Sequence, residues 1–275
     1  MPTGPVTLHC GELTISIDLA HGARAVSLRC DGEELLGGVS ADPVEHGMYP
    51  MGPWAGRLLR NEVHADEQSW PMPANYGPWA LHGTVLDRAW EIVGLTQESD
   101  HAWLAASTEL GEHWPWRGSM ELTWSLHRSI LRTSLILRAH DSEFPAVIGM
   151  HPWLRKTTRF GEAQWQARGA VMAERRPDFS LTGELITDPP VHGTLDDAFL
   201  VPDARAQVSW GRGLSLEIHQ SHQWFVVYDA HPQLLCIEPQ TGPTDGLHDG
   251  VFGSPVLVSP GKPLTQQTAW TFRRG

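Results

Sequence analysis

Cysteine is scarce in this 275-residue chain. Its three cysteines, Cys10, Cys30 and Cys236, are odd in number and far apart. That excludes a disulfide framework and a zinc knuckle as organising devices. Basic residues are also in deficit, 20 against 32 acidic ones, for a formal charge of -12. Such a field repels nucleic acid and anionic membranes and disfavours a heavily phosphorylated ligand. No apolar run is long enough to span a bilayer. The opening stretch, MPTGPVTLHCGEL, has neither the basic start nor the apolar segment of a signal peptide. The expectation is a soluble cytoplasmic protein with no nucleic-acid or membrane partner. Sustained helical periodicity is missing too, and 21 prolines and 27 glycines punctuate the chain too often for long helices. Low-complexity segments, linkers and internal repeats are absent. Length and composition suit one domain spanning residues 1–275, able to bury a core without metal or disulfide.

What is present is strand after strand. Glu12–Asp18 alternates apolar and polar residues as a half-buried strand does. Ala25–Cys30, Asp31-Gly32 and Glu33–Leu36 read as a hairpin with a two-residue turn. Further strands are expected at Trp90–Leu95, Ala102–Thr108, Met120–Leu126, Leu131–Leu137, Val147–Met150 and Gln164–Ala167. More follow at Gln207–Trp210, Leu214–His219, Trp224–Tyr228, Leu234–Ile237 and Trp270–Arg273. Irregular structure is expected at Asn61–Pro78 and Thr157–Gly161. The fold class is all-β, an antiparallel sandwich or barrel. Thirteen tryptophans against three tyrosines fit sheet packing first, although an indole also stacks on a sugar ring.

Ionisable residues stand beside several strand ends. In Leu234-Leu235-Cys236-Ile237-Glu238-Pro239-Gln240, an apolar strand runs into a carboxylate and then a proline; Ile148-Gly149-Met150-His151-Pro152 repeats the design with histidine. Proline cannot donate to a ladder, so each strand is expected to stop there and leave its ionisable group at a partly desolvated rim. Each residue is then either a solvated strand cap or a group tuned for proton transfer. Arg57 follows the turn MGPWAG, and His82 lies in the turn LHG. Asp196 and Asp197 lie in LDDAF. Each of these has an equally ordinary reading as a salt-bridge or turn residue.

Taken in order, MGPWAGR, LHG…DRAW, GMHPW, LDDAF and CIEPQTGPTDG resemble the aldose 1-epimerases, the galactose mutarotase-like family. The resemblance implies a large antiparallel β-sandwich with a sugar cleft on one face, and interconversion of the α and β anomers of an aldohexose without cofactor or metal. It assigns Glu238 as general base and His151 as general acid, on opposite sides of the acetal. Arg57, His82 and Asp196 become substrate-binding residues, with Asp197 as the alternative if the local register shifts by one. Trp54 and Trp153 adjoin the motifs as candidate sugar-stacking residues. The state implied is monomer or homodimer. Two departures bear on sugar binding: Gly56 stands where many members have asparagine, and Thr84 replaces the second glycine of an HGG motif. Competing readings are a non-catalytic sugar binder on the same fold and a metal site built from His82, His151 and Glu238. A third is a hexose-6-phosphate epimerase whose phosphate clamp comprises Arg57, Arg60, Arg155 and Lys156.

Overall fold

A computed structural model describes residues 4–38, 40–65, 67–189, 194–248, 250 and 252–275. The first three residues of the N-terminal stretch read above lie outside them. Among the described residues, the helical structure is one 3-10 turn, Leu59–Asn61, and the rest of the regular structure is strand. The fold is an all-β antiparallel sandwich. Its larger sheet runs, edge to edge, through Val6–Cys10, Leu13–Asp18, Arg24–Cys30, Met48–Met51, Gly149–Pro152, Leu234–Gln240, Trp224–Tyr228, Asp196–Leu200, Val171–Arg175 and Leu181–Ile186. The facing sheet runs through Thr157–Thr158, Gly161–Gln166, Arg205–Trp210, Leu214–Gln220, Leu264–Arg274, Ile130–Ala139, Gly118–His127, His101–Glu109 and Glu91–Gln97.

Period-two patterning explains the second sheet. Gly118–His127 buries every other side chain, so Met120, Leu122, Trp124 and Leu126 face inward. Apolar residues from both sheets form one contiguous cluster that extends from Leu8 to Phe272. Fully buried tryptophans bridge the layers with satisfied indoles: Trp124 Nε1 donates to Ala23 O at 3.2 Å and Trp210 Nε1 to Arg155 O at 2.8 Å. The expected hairpin at Asp31-Gly32 is present, with both turn residues at positive φ (51° and 77°).

The structure differs from the sequence reading in several places. Asn61–Pro78 contains a hairpin, Glu62–Ala65 with Gln68–Pro71, and Thr157–Gly161 opens another. Val6–Cys10, Val171–Arg175, Leu181–Ile186 and Asp196–Leu200 are further strands. Most consequentially, Pro239 does not stop its strand, since Leu234–Gln240 continues through it, whereas Gly149–Pro152 does end on its proline. Pro239 is tolerated because its peptide edge faces the His151 strand, where the ladder consists of Gly149 opposite Gln240 alone. His151 and Glu238 are therefore within strands near the middle of the sheet, not at its rim.

Candidate active site

Strand alternation assembles the floor of a cavity on the outer face of the larger sheet. Glu238 lies opposite Val226, Cys236 opposite Tyr228 and Gln240 opposite Trp224. On the next strand Asp196 lies opposite Tyr228 and Ala198 opposite Val226. These positions share one face, and Asp196, Glu238 and Gln240 line the cavity together with His151, His82 and Arg57. Asp197 points the other way: it is buried, and its Oδ1 accepts from Arg175 Nε at 2.6 Å. Of the two aspartates the sequence offered, Asp196 is on the cavity side and Asp197 is not.

His151 Nε2 lies 3.2 Å from Glu238 Oε1, and both side chains are almost fully buried. They stand side by side, not across a gap. Glu238 Oε2 accepts from Gln240 Nε2 at 3.1 Å. The His151 imidazole stacks on Tyr49 (4.9 Å between centroids) and Trp153 (5.2 Å), and meets His82 edge-on at 4.8 Å. Aromatic walls deny the ring water. Burial, with the Arg24 charge behind it, pulls the His151 pKa down to about 3, so the ring is neutral. Burial, reinforced by Asp196, pushes the Glu238 carboxyl well above the usual carboxylate range, while the Gln240 bond works against that shift. A neutral imidazole beside a reluctant carboxylic acid is a pair that can hand over or take up one proton with little change in net charge.

His82 and Arg57 arrive on loops tied together by backbone. Gly52 bridges Gly83 and Arg57 bridges Leu81. Gly83 permits that approach: at φ +83°, a Cβ there would stand 1.9 Å from Gly52 O. His82 Nδ1 accepts the Gly56 N–H at 3.1 Å. Burial and the neighbouring His151 hold its pKa well below 6.5, so the ring is neutral. With Nδ1 committed as acceptor, Nε2 carries the hydrogen and can only donate. Arg57 Nη2 pairs with Asp196 Oδ2 at 3.0 Å, and its guanidinium lies 4.0 Å from the Phe179 ring centroid. Gly56, at φ +78°, has no room for a side chain, because a Cβ would meet Thr244 Cγ2 at 2.4 Å. Thr84 lies outside the cavity lining, whereas Trp153 is within it and Trp54 is not, stacking instead on Trp114 at 5.9 Å.

The rival constellations do not assemble. Arg155 Nε donates to Leu36 O and Lys156 Nζ to the carbonyls of Asp229 and His231, so neither joins Arg57 in a phosphate clamp. Among the described residues, the buried donors close enough to share a metal ion are those of His151, Cys236 and Glu238, with His82 not among them. Among the cavity residues that escaped the sequence reading are Gln240, Arg175 and Phe179, and Tyr49, which stacks on His151, escaped it as well. Gln240 was within reach, since alternation from Glu238 places it on the same face; the expected stop at Pro239 hid it.

A buried carboxylate–imidazole pair in a narrow cavity, with an arginine–aspartate pair at its side, defines an all-β sandwich protein with an acid–base cleft. The chain belongs to the aldose 1-epimerase family, whose model matches residues 6–271. No curated protein sequence matches it. Among solved structures it is similar to a galactose mutarotase-like protein from Clostridium acetobutylicum, with 14% identity, a TM-score of 0.85 and coverage of 98% of this chain and 95% of that one. The aldose epimerase homologue from C. elegans gives 18%, 0.78, 98% and 99%. A galactose 1-epimerase from Lactobacillus acidophilus gives 15%, 0.76, 98% and 94%. At these identities the likeness shows the fold.

Proposed function

We propose that the protein is an aldose 1-epimerase, interconverting the α and β anomers of an aldohexose without a cofactor. The observation that carries this reading is the direct His151–Glu238 contact on the floor of a cavity that His82, Arg57 and Asp196 also line. Ring opening requires loss of the proton on O1 and gain of one on O5. Both oxygens are attached to the same carbon, so base and acid must stand next to each other, as Glu238 and His151 do. When the pair's one proton passes from the Glu238 carboxyl to His151 across their 3.2 Å contact, the Glu238 carboxylate takes the O1 proton while the His151 imidazolium delivers one to O5. After rotation about C1–C2 the roles reverse, Glu238 returning a proton to O1 and His151 taking that of O5 as the ring closes on the other face. His82 Nε2–H donates to a sugar oxygen, and Arg57 with Asp196 fixes the remaining hydroxyls while the anomeric end turns.

Support for a single domain comes from the contiguous core between Leu8 and Phe272. Three buried free cysteines suit a reducing compartment, so we assign the protein to the cytoplasm. Among the described residues, no helix is long and apolar enough to cross a membrane. The test is polarimetry with freshly dissolved α-D-glucose and α-D-galactose. Glu238→Gln and His151→Ala should each lower kcat by roughly 10²-fold or more. No acceleration with a broad panel of aldoses overturns the assignment. Unchanged turnover at saturation with weakened binding would instead make the pair a sugar-binding element.

A further inference from the structure

The cavity above Glu238 is small, about 110 Å³, but it does not end at Arg57. A wider groove of about 780 Å³ adjoins it, and Leu181 and Thr244 line both spaces. Between them lies a constriction bordered by Arg57, Phe179 and Trp79. The contacts give the spaces an order. Arg57 binds Asp196 at 3.0 Å and covers Phe179 at 4.0 Å, and Phe179 meets Trp79 edge-on at 5.8 Å. From the acid–base pair outward, the path thus runs past Asp196 and Arg57, over Phe179 and onto Trp79.

That order fixes which end of a bound sugar faces the groove. A pyranose whose C1 lies at Glu238 and His151 turns the carbon across the ring, C4, toward Arg57 and Phe179. The groove itself offers flat aromatic surface from half-buried Trp79 and Trp224, with hydrogen-bonding groups from Ser180, Asp178 and Asp245. Those are the groups that hold a neutral sugar, by stacking on its apolar face and bonding its hydroxyls. They suit a phosphate poorly. Asp178 and Asp245 would repel it, Arg176 Nη1 is already committed to Ser180 Oγ and Leu181 O, and exposed Arg60 is the one other arginine among the described residues of the lining.

We infer that the substrate is the reducing-end residue of a neutral 1→4-linked oligosaccharide, with the next sugar ring in the groove against Trp79. The inference rests on the epimerase reading for its orientation. It is tested by measuring anomer exchange by NMR with glucose, maltose, cellobiose, lactose, the 1→6-linked isomaltose and glucose 6-phosphate. Stacking of the second ring should raise kcat/KM for a 1→4 disaccharide about tenfold over glucose. Isomaltose should show no such gain. Trp79→Ala should return the disaccharide-to-glucose ratio toward one, and Trp224→Ala should lower it as well. If monosaccharides react and 1→4 disaccharides are not preferred, the groove assignment falls and the epimerase reading stands. Preference for glucose 6-phosphate over both overturns it in favour of an anion site. If no aldose reacts, the epimerase reading falls, and calorimetric titration of the disaccharides decides the groove: binding weakened by Trp79→Ala supports the subsite, and unaffected or absent binding overturns it.

Discussion

The two large sheets bury their residues in different ways. In Gly118–His127 and Leu264–Arg274, core and surface positions alternate almost residue by residue. In Met48–Met51, Gly149–Pro152 and Leu235 onward in Leu234–Gln240, every residue is buried. The first pattern belongs to a sheet with one face in water; the second belongs to a sheet whose outer face is covered by the loops that carry Arg57, His82 and Phe179. A charged residue in an alternating strand keeps its hydration. One in a doubly covered strand bears a desolvation penalty and needs a partner. Glu238 and His151 are of the second kind. The comparison teaches that, in this fold, an ionisable side chain inside an otherwise apolar strand marks the face that carries the cavity of the proposed site.

The comparison can be broken from either side. Trp124, fully buried in the alternating sheet, should affect stability alone: Trp124→Ala should cost about 3–5 kcal/mol in denaturant unfolding and leave kcat of the folded protein intact. A matching loss of kcat would show that the two sheets are not separable in function. Gln240→Leu should do the reverse, lowering kcat about tenfold with a smaller effect on stability, because it removes a hydrogen bond that becomes charge-assisted when Glu238 ionises to act as base. That bond lowers the carboxyl pKa, so its loss should also move the acid limb of the kcat/KM profile to higher pH. An unmoved limb would reduce Gln240 to a packing residue.

The smallest effect is the most diagnostic of burial. The folded pKa of Glu238 lies above its usual 4.5, so the native state holds a proton that the unfolded chain releases. Its stabilising contribution is complete below pH 4.5 and is lost as pH rises toward the folded pKa. His151, lowered from 6.5 to about 3, acts oppositely, with stability falling as pH drops through that interval. Glu238→Gln removes only the first dependence. The Tm difference between variant and wild type should therefore grow as pH rises above 4.5, measured calorimetrically across pH 4 to 8. A constant difference would contradict a carboxyl buried in its neutral form.

The alternating sheet was largely legible: Met120–Leu126 and Leu214–His219 fall within the observed strands because water on one face imposes the period-two pattern. The covered sheet was read less well. Leu13–Asp18 in it alternates and was read, but Val171–Arg175 and Asp196–Leu200 lack alternation and were missed, and Pro239 was taken as a stop. Of the site, the motif residues Arg57, His82, His151, Asp196 and Glu238 were nameable in advance, and the structure gathers them around one cavity. Arg175 and Phe179 were not nameable, since they reach the cavity through tertiary contacts, Arg175 with Asp197 and Phe179 under Arg57, that no local pattern records.

The collision between a side chain at Gly56 and the methyl of Thr244 has an inheritance consequence. Both positions draw on the same few cubic ångströms, so neither can enlarge alone. Where a related chain carries asparagine at the first, its counterpart of Thr244 should be smaller or displaced, and the two should covary as a size-compensated pair. Gly56→Asn alone should then be poorly tolerated here, and Thr244→Gly should rescue it.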